Sequence, residues 1–359
     1  MIGILGAYGT IGVWATRFIK KNSQENLRIG GRNIEKAPSE LRSEWDDAEW
    51  MNVNVSDRVS VEAFMEGCSC ILDCAKLNES QSHLMDEIGE IRKIPVVHLG
   101  IIGYKRRNAN VPILYGAGSI PGLSGLIPQY FAQEFDSVNA LDFYYGGVGA
   151  FSYTAAKDYL DGILETTNHS MVCWNNGEIV PFSASENDVS MELGRFVSDY
   201  KSFPYFDEEA DAITRKLHLS ESRFQMCVNG KRTIDSMNSA RFLYKQDPQK
   251  TIENLCLASK LDSFGISENT FFLCIMDGKK ENRSVKKELL IYGLAPARAT
   301  GTTAAAAVLC IAERNKTGFV QLLGESDYAE PIIKLLKENE PQMILMTKNL
   351  NVSEVEGEI

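Results

Sequence analysis

The sequence predicts an α/β protein: an N-terminal Rossmann-type, doubly wound parallel sheet, followed by an α+β domain with a mixed or antiparallel sheet. Three observations predict it. A short apolar run, Met1 to Leu5, ends in a glycine-rich turn that opens a helical pattern. Strand-like and helix-like segments then alternate as far as Tyr115, the pattern of parallel βαβ units. From Val138 onward the pattern becomes hairpins built around Asn-Gly and Asp-Gly pairs.

Each element follows from local pattern. Ile11, Ala15, Phe18 and Ile19 fall on one helical face, Asn22 and Ser23 break that helix, and Leu27-Arg28-Ile29 gives a second strand. Trp50 to Val55 gives a third, with Asp57 as cap of a helix carrying Val61, Phe64 and Met65. Cys70 to Cys74 is a fourth strand, followed by a helix through Leu84, Ile88 and Ile91; Pro95 to Leu99 and Ile113 to Tyr115 follow as strands. Gly116 to Gly122 punctuates the chain and leads into a helix with Leu123, Leu126, Ile127, Tyr130 and Phe131 on one side. Hairpins are expected at Asn176-Gly177, at Asn229-Gly230 (with Lys231 to Ile234 as the returning strand) and after Asp277-Gly278. Helices are expected over Thr302 to Glu313 and Pro331 to Lys337, and a solvated or disordered acidic tail from Ser353. The expected division is 1–120, 121–300 and 301–359.

Composition narrows the function classes. The 359 residues are 44% hydrophobic and 24% charged, as in ordinary globular proteins. No apolar run approaches the ~18 residues of a membrane span, and the N-terminus lacks the basic segment of a secretory signal. A net charge of −11 argues against binding to nucleic acid or an anionic membrane. Most of the eight cysteines sit in apolar, strand-like runs, which reads as buried thiol rather than a disulfide framework. A cytoplasmic location is the expectation. Cys68, Cys70, Cys74 and His83 do not make a convincing zinc set, because Cys70 and Cys74 share one face of a buried strand. Neither a serine-hydrolase elbow nor a P-loop is present.

The chemistry-bearing motif is Gly6-Ala7-Tyr8-Gly9-Thr10-Ile11-Gly12, a G-x-x-G-x-x-G variant of the dinucleotide fingerprint on a strand-to-helix turn. Gly6 allows the tight turn, Gly9 the close approach of backbone amides to a diphosphate, and Gly12 close packing of helix on sheet. The diphosphate would rest on the positive end of the helix dipole. The end of the second strand reads Ile29-Gly30-Gly31-Arg32-Asn33, without the acid that holds an NAD ribose. Arg32 is placed to pair with a 2′-phosphate through its planar fork, so the expected cofactor is NADP(H); the bland alternative is a solvated loop cation. Further cofactor contacts are expected from Tyr8, Thr10, Ile11, Gly31, Asn33, Val55, Asp57, Cys74, Ala75, Lys76 and Gly100.

Taken in order, these motifs resemble the saccharopine dehydrogenase-like oxidoreductases. The resemblance rests on the first glycine turn, Gly31-Arg32, and Val53-Asn54-Val55-Ser56-Asp57 before an amphipathic helix. It continues with Cys74-Ala75, Pro121-Gly122 opening a helix, and Thr300-Gly301-Thr302 at a late helix start. It spans Met1 to about Leu323, and it implies a substrate and dimerisation domain after the Rossmann unit, C-terminal helices that return to it, and a homodimer. It also implies hydride transfer from NADPH to the C=N bond of an amino-acid-derived imine. One position departs: the acid that saccharopine reductases typically carry before this Pro-Gly is Ile120 here, preceded by Ser119.

Hydride transfer needs positioning and a proton donor or electrostatic clamp. His98 and Tyr104 lie near the ends of the fourth and fifth strands, where the nicotinamide end of a Rossmann site falls. His98 has core-like neighbours, which favours a structural histidine over a catalytic one, whereas Lys105-Arg106-Arg107 suggests an exposed loop around Tyr104. The resemblance brings Gly149, Ser152, Lys157 and Asp158 to the crevice, with Lys157 and Asp158 equally readable as a solvated pair. Arg241 and Arg298, near expected strand ends, are candidates to fork a substrate carboxylate. Two other functions stay open: an enoyl or carbonyl reductase acting on a carrier-bound or lipid acyl chain, and an NADPH-binding sensor or scaffold without turnover.

Overall fold

The computed structural model describes residues 1–164, 169–182, 200–312 and 318–350. The chain forms two units, Met1–Leu126 with Ala297–Glu340, and Ile127–Pro296 with Pro341–Ile359.

The first unit begins with β1 (Ile2–Leu5), α1 (Gly12–Asn22), β2 (Leu27–Gly31), α2 (Ser39–Glu44), β3 (Glu49–Asn52), α3 (Arg58–Met65), β4 (Cys70–Asp73) and α4 (Glu79–Arg92). It continues with β5 (Val96–His98), β6 (Arg107–Ala109), β7 (Ile113–Tyr115) and the start of α5 (Leu123–Ala132), whose residues from Ile127 on belong to the second unit. The second unit supplies β8 (Ser137–Val148), α6 (Tyr153–Leu164), β9 (His169–Ser170), β10 (Val172–Asn175), β11 (Glu178–Pro181), β12 (Tyr200–Phe206) and α7 (Glu208–Lys216). After these come β13 (Glu221–Asn229), α8 (Lys231–Leu243), α9 (Pro248–Asp262), β14 (Asn269–Lys280) and β15 (Arg283–Leu294). The chain then returns to the first unit as α10 (Pro296–Ala312), β16 (Gly318–Leu322) and α11 (Ala329–Asn339), and ends its described part in β17 (Ile344–Leu350).

The first sheet has the order β3-β2-β1-β4-β5-β7-β16-β6. All its pairings are parallel except that of β16 with β6. Strand order reverses between β1 and β4, so a crevice opens beyond the carboxyl ends of those two strands. β1 and β4 are buried along their whole length, as the central strands of a sheet covered on both faces must be. Helix ends are chemically fixed: the Asp57 carboxylate accepts the Val59 and Ser60 amides at the start of α3, and Asn78 with Gln81 forms a capping box on α4.

The second sheet is mixed, with the order β11-β10-β13-β8-β14-β15-β17, and β12 pairs with both β13 and β9. Only β13 and β8 pair in parallel within it.

Several expectations are corrected. Asn229-Gly230 is no hairpin: Gly230, at φ +87°, precedes α8, and Lys231 to Ile234 are helical. The Asp262 carboxylate accepts the Thr233 amide at 2.8 Å, which supplies the partner that helix start requires. The third strand stops at Asn52, short of Val55. Asp277-Gly278 lies inside β14, and the turn falls at Glu281 and Asn282, both with positive φ as a tight hairpin needs. Thr300-Gly301-Thr302 lies within α10, which opens at Pro296, where a proline's missing N–H costs nothing. β6 and β16, three and five residues long, were not foreseen from pattern. The segment after Glu340 belongs to the second unit, because β17 pairs with β15, and the acidic tail from Ser353 lies outside the described residues.

All eight cysteines are free thiols, six of them buried. No helix among the described residues is long and apolar enough to cross a membrane.

Candidate functional site

The turn after β1 is built by steric necessity. Gly6 has φ +76°, and a Cβ on Gly12 would stand 2.3 Å from the Gly6 carbonyl oxygen and 2.7 Å from that of Ala7. Only hydrogen fits there, so the first turn of α1 presses directly onto the end of β1. Gly9 and Thr10 are exposed. A Cβ at Gly9 would meet only the Gly6 oxygen, at 3.2 Å. Beyond that single contact the turn is open; the Val13 and Trp14 amides of the helix start pair with the Gly9 and Ile11 carbonyls, and the Thr10, Ile11 and Gly12 amides have no hydrogen-bond partner among the described residues. A turn of this geometry has room for a diphosphate at a helix start. Ile11 precedes α1 and is half-buried.

The end of β2 forms one wall. A Cβ on Gly31 would lie 2.2 Å from the Tyr8 hydroxyl oxygen, which donates to the Asn33 carbonyl at 3.1 Å. Tyr8 stacks on Trp50 with centroids 6.4 Å apart, and Trp50 stacks in turn on Trp45. The Asn33 side chain accepts the Glu35 amide. Arg32 is exposed and makes no hydrogen bond or ion pair among the described residues. The segment from Ile29 to Asn33 contains no acid, and Glu35 beyond it pairs with Arg42 at 3.4 Å.

The other wall is the turn after β4. A Cβ on Gly6 would come 3.0–3.1 Å from backbone atoms of Cys74 and Ala75, so the two turns are in contact. The Cys74 thiol is raised above its ordinary pKa by burial, with the Asp73 carboxylate adding to the effect, which keeps it protonated. Lys76 is exposed beyond it. Gly100, after β5, is exposed, and its carbonyl accepts the Gly116 amide at 2.9 Å.

Between these turns and α4 lies a buried polar chain that pattern reading missed. Asp73 Oδ1 accepts the Ala75 amide at 2.9 Å, and Asp73 Oδ2 faces His98 Nδ1 at 2.9 Å. His98 Nε2 faces Asp86 Oδ1 at 2.9 Å, and the Tyr115 hydroxyl donates to Asp86 Oδ2 at 2.8 Å. The His98 ring stacks on Tyr115 at 4.4 Å, and His98 is 1% exposed. Both ring nitrogens face carboxylates, so both carry protons and the ring is an imidazolium. Burial opposes that charge, but the hydrogen bonds that the ring donates to Asp73 and Asp86 overcome it and raise the pKa to about 9. Tyr115 is pushed well above its ordinary value, first by burial and then by Asp86. A legible signal existed: Asp73 is an acid on an otherwise apolar buried strand, and such a charge requires a partner.

The remaining candidates divide. Tyr104 is half-buried rather than on an exposed loop: its hydroxyl donates to Glu325 at 3.0 Å and its ring packs near Tyr115. The buried Glu325 also accepts from Arg106 and from the Leu322 amide. The Asp57 carboxylate is committed to capping α3, and Val55 lies in the turn after β3. Arg298 is not at a strand end but in the first turn of α10, 2.7 Å from buried Glu340 and over the Trp14 ring.

In the second unit Gly149 follows β8, and the Ser152 hydroxyl accepts the Ala155 amide at the start of α6. Lys157 pairs with Asp161 one turn on, and Asp161 also accepts the Tyr244 hydroxyl at 2.6 Å. The side chains of Asp158 and Arg241 lie outside the described residues, although both positions fall on helices. The turns after β1, β2 and β4 therefore lie together, whereas Arg298, Tyr104 and Asp57 are engaged with other partners in the first unit, and Ser152 and Lys157 bond within their own helix in the second.

No family model matches the sequence, and no curated protein does. Solved structures do. The chain is similar to saccharopine dehydrogenase (L-Glu forming) from Saccharomyces cerevisiae, with a TM-score of 0.69 and 13% identity over 98% of this chain and 99% of that one. It is similar also to the homospermidine synthase of Legionella pneumophila, solved in complex with NAD, at a TM-score of 0.58 and 10% identity over 100% of this chain and 93% of that one. The saccharopine dehydrogenase fold is thus the fold of this chain.

Proposed function

We propose that the chain is an NADPH-dependent reductase that transfers hydride to the C=N bond of an amino-acid-derived imine. The observation that carries the nucleotide half is the glycine cradle of β1 and α1. It is closed by Gly12 against Gly6, open at Gly9, and flanked by an Arg32 without a partner among the described residues. Support for the reductase half comes from fold alone: one similar structure is a dehydrogenase and the other was solved with NAD.

When bound, a reduced nicotinamide supplies the hydride. The Thr10, Ile11 and Gly12 amides at the start of α1 would hold the diphosphate over the glycine turn, and Arg32 a 2′-phosphate through a bidentate fork. Tyr8 and Gly31 shape the wall beside that phosphate, while Cys74 and Ala75 border the crevice opposite. A homodimer is the expected assembly.

A second reading has its own support. Among the described residues His98, Tyr104, Lys157 and Arg298 are each engaged with an internal carboxylate. A nucleotide-binding sensor without turnover needs no free acid–base group.

The test is a fluorescence titration of the purified chain with NADPH and NADH, repeated with Arg32→Ala. Micromolar NADPH binding that falls to the NADH value in the variant supports the assignment, and oxidation of NADPH with a panel of amine–carbonyl pairs then separates reductase from sensor. Binding of neither nucleotide rejects the oxidoreductase.

A further inference from the structure

We propose that His98 is a positioning residue for the nucleotide crevice: as a doubly donating imidazolium it locks the Asp73 carboxylate, which in turn fixes the Cys74–Ala75 turn against Gly6. This rests on the dinucleotide reading above and concerns the same site.

The geometry carries it. Asp73 is the last residue of β4 and uses its two oxygens for different tasks. Oδ1 holds the Ala75 amide at 2.9 Å and Oδ2 holds His98 at 2.9 Å. The turn so fixed touches the Gly6 backbone at the one place in the cradle where the chain has positive φ. A carboxylate with only the Ala75 amide for company would be free to rotate about its side-chain torsions. Held from behind by a charged ring, it has one orientation.

The ring itself is held from three elements. Asp73 on β4 and Asp86 on α4 face its two nitrogens, and Tyr115 on β7 covers its face and donates to Asp86. Outside this set, Arg107 on β6 acts electrostatically on Asp86 and Tyr115, and the Tyr104 ring lies 5.8 Å from that of Tyr115. Two carboxylates around one imidazolium leave a net charge of −1, so the ring cannot lose its proton without leaving two buried anions unneutralised. A neutral packing residue would not need that arrangement. His98 touches neither the glycine turn nor the Cys74–Ala75 turn through its side chain, and its effect passes through Asp73.

His98→Gln presents one donor and one acceptor in place of two donors, so one carboxylate loses its partner. The variant is expected to keep its far-UV circular dichroism, to lose hydrogen-exchange protection at the Ala75 amide, and to bind NADPH about tenfold more weakly or worse. Nitrogen-15 NMR of histidine-labelled wild type is expected to show both His98 nitrogens protonated at pH 7.5. A neutral tautomer there, or a folded His98→Gln variant that binds NADPH as the wild type does, overturns the proposal. Should the variant not fold, the wild type decides. NADPH affinity that weakens as pH rises through about 9, in step with the His98 nitrogen signals, supports the proposal, and an affinity indifferent to that titration overturns it. A wild-type chain that binds NADPH while His98→Gln does so equally defeats this inference alone. One that binds neither nucleotide defeats the function as well.

Discussion

The phenol of Tyr8 lies against Gly31 so closely that any side chain on that glycine would collide with it, the hydroxyl oxygen being 2.2 Å from the position of a Cβ. The same hydroxyl donates to the carbonyl of Asn33, so the glycine turn after β1 and the end of β2 are tied together by one aromatic residue.

Gly31→Ala is therefore expected to expel Tyr8 from its place. The colliding atoms belong to a side chain that can swing away, so the fold survives, with a loss of about 1 kcal/mol for the broken hydrogen bond. The Tyr8–Trp50 stack is lost with it, which shows as a change in tryptophan fluorescence. NADPH affinity is expected to shift while the far-UV spectrum stays constant. Gly12→Ala is the contrast: its obstacles are backbone oxygens that cannot rotate away, so it lowers thermal stability and NADPH binding together.

Stability should depend on pH through His98. Its pKa rises from 6.5 unfolded to about 9 folded, so the folded chain holds that proton more tightly. The resulting stabilisation, of order 3 kcal/mol, is present in full below about pH 6.5 and is lost as pH rises through about 9. Urea midpoints measured between pH 6 and 10 should fall accordingly, and the slope should flatten in His98→Gln.

Glu325 anchors the loop that carries Tyr104. Glu325→Ala leaves the Leu322 amide buried without an acceptor and removes the partners of Tyr104 and Arg106, a loss expected at about 2–4 kcal/mol. Tyr104→Phe removes one of those bonds and should cost about 1 kcal/mol. In the double variant Tyr104→Phe adds little, because its partner is already gone, and denaturant titration of the four proteins measures that coupling.

Arg298→Ala separates a structural from a substrate role. Glu340 is 5% exposed and would be left as an uncompensated buried charge, so a loss of about 3 kcal/mol in stability is expected. NADPH affinity at saturating folding conditions should be unchanged. A variant of full stability would show that the Arg298–Glu340 pair does not brace α10.

What the sequence revealed tracks how local each determinant is. The glycine turn, the first five parallel strands and the capping of α3 by Asp57 all depend on residues within a few positions of each other, and pattern reading reaches them. Asn229-Gly230 misled because the same dipeptide that closes a hairpin also opens a helix, and the deciding contact comes from Asp262, far along the chain. β6 and β16 are too short for periodicity and exist because they pair with each other and, through β16, with β7. Within the site, His98 was visible but its role was not: Asp73, Asp86 and Tyr115 come from three elements, and only the folded sheet assembles them. Tyr104 and Arg298 were misplaced for the same reason, their carboxylate partners lying 221 and 42 positions away.

The place of β16 has a consequence for how the protein is made. The strand that pairs with β7 and joins it to β6 is Gly318–Leu322, which leaves the ribosome only after residues 127–296 of the second unit have been synthesised. Until then β7 presents an open row of amides and carbonyls, a ready template for another chain. The first unit is thus discontinuous in synthesis as well as in sequence. Its last stretch of sheet closes after residue 322, by a contact spanning some 200 positions, which makes that step slow relative to local helix formation. A nascent chain stalled before Gly318 should be captured by chaperones and cleaved readily by protease, and one released after α11 should resist both.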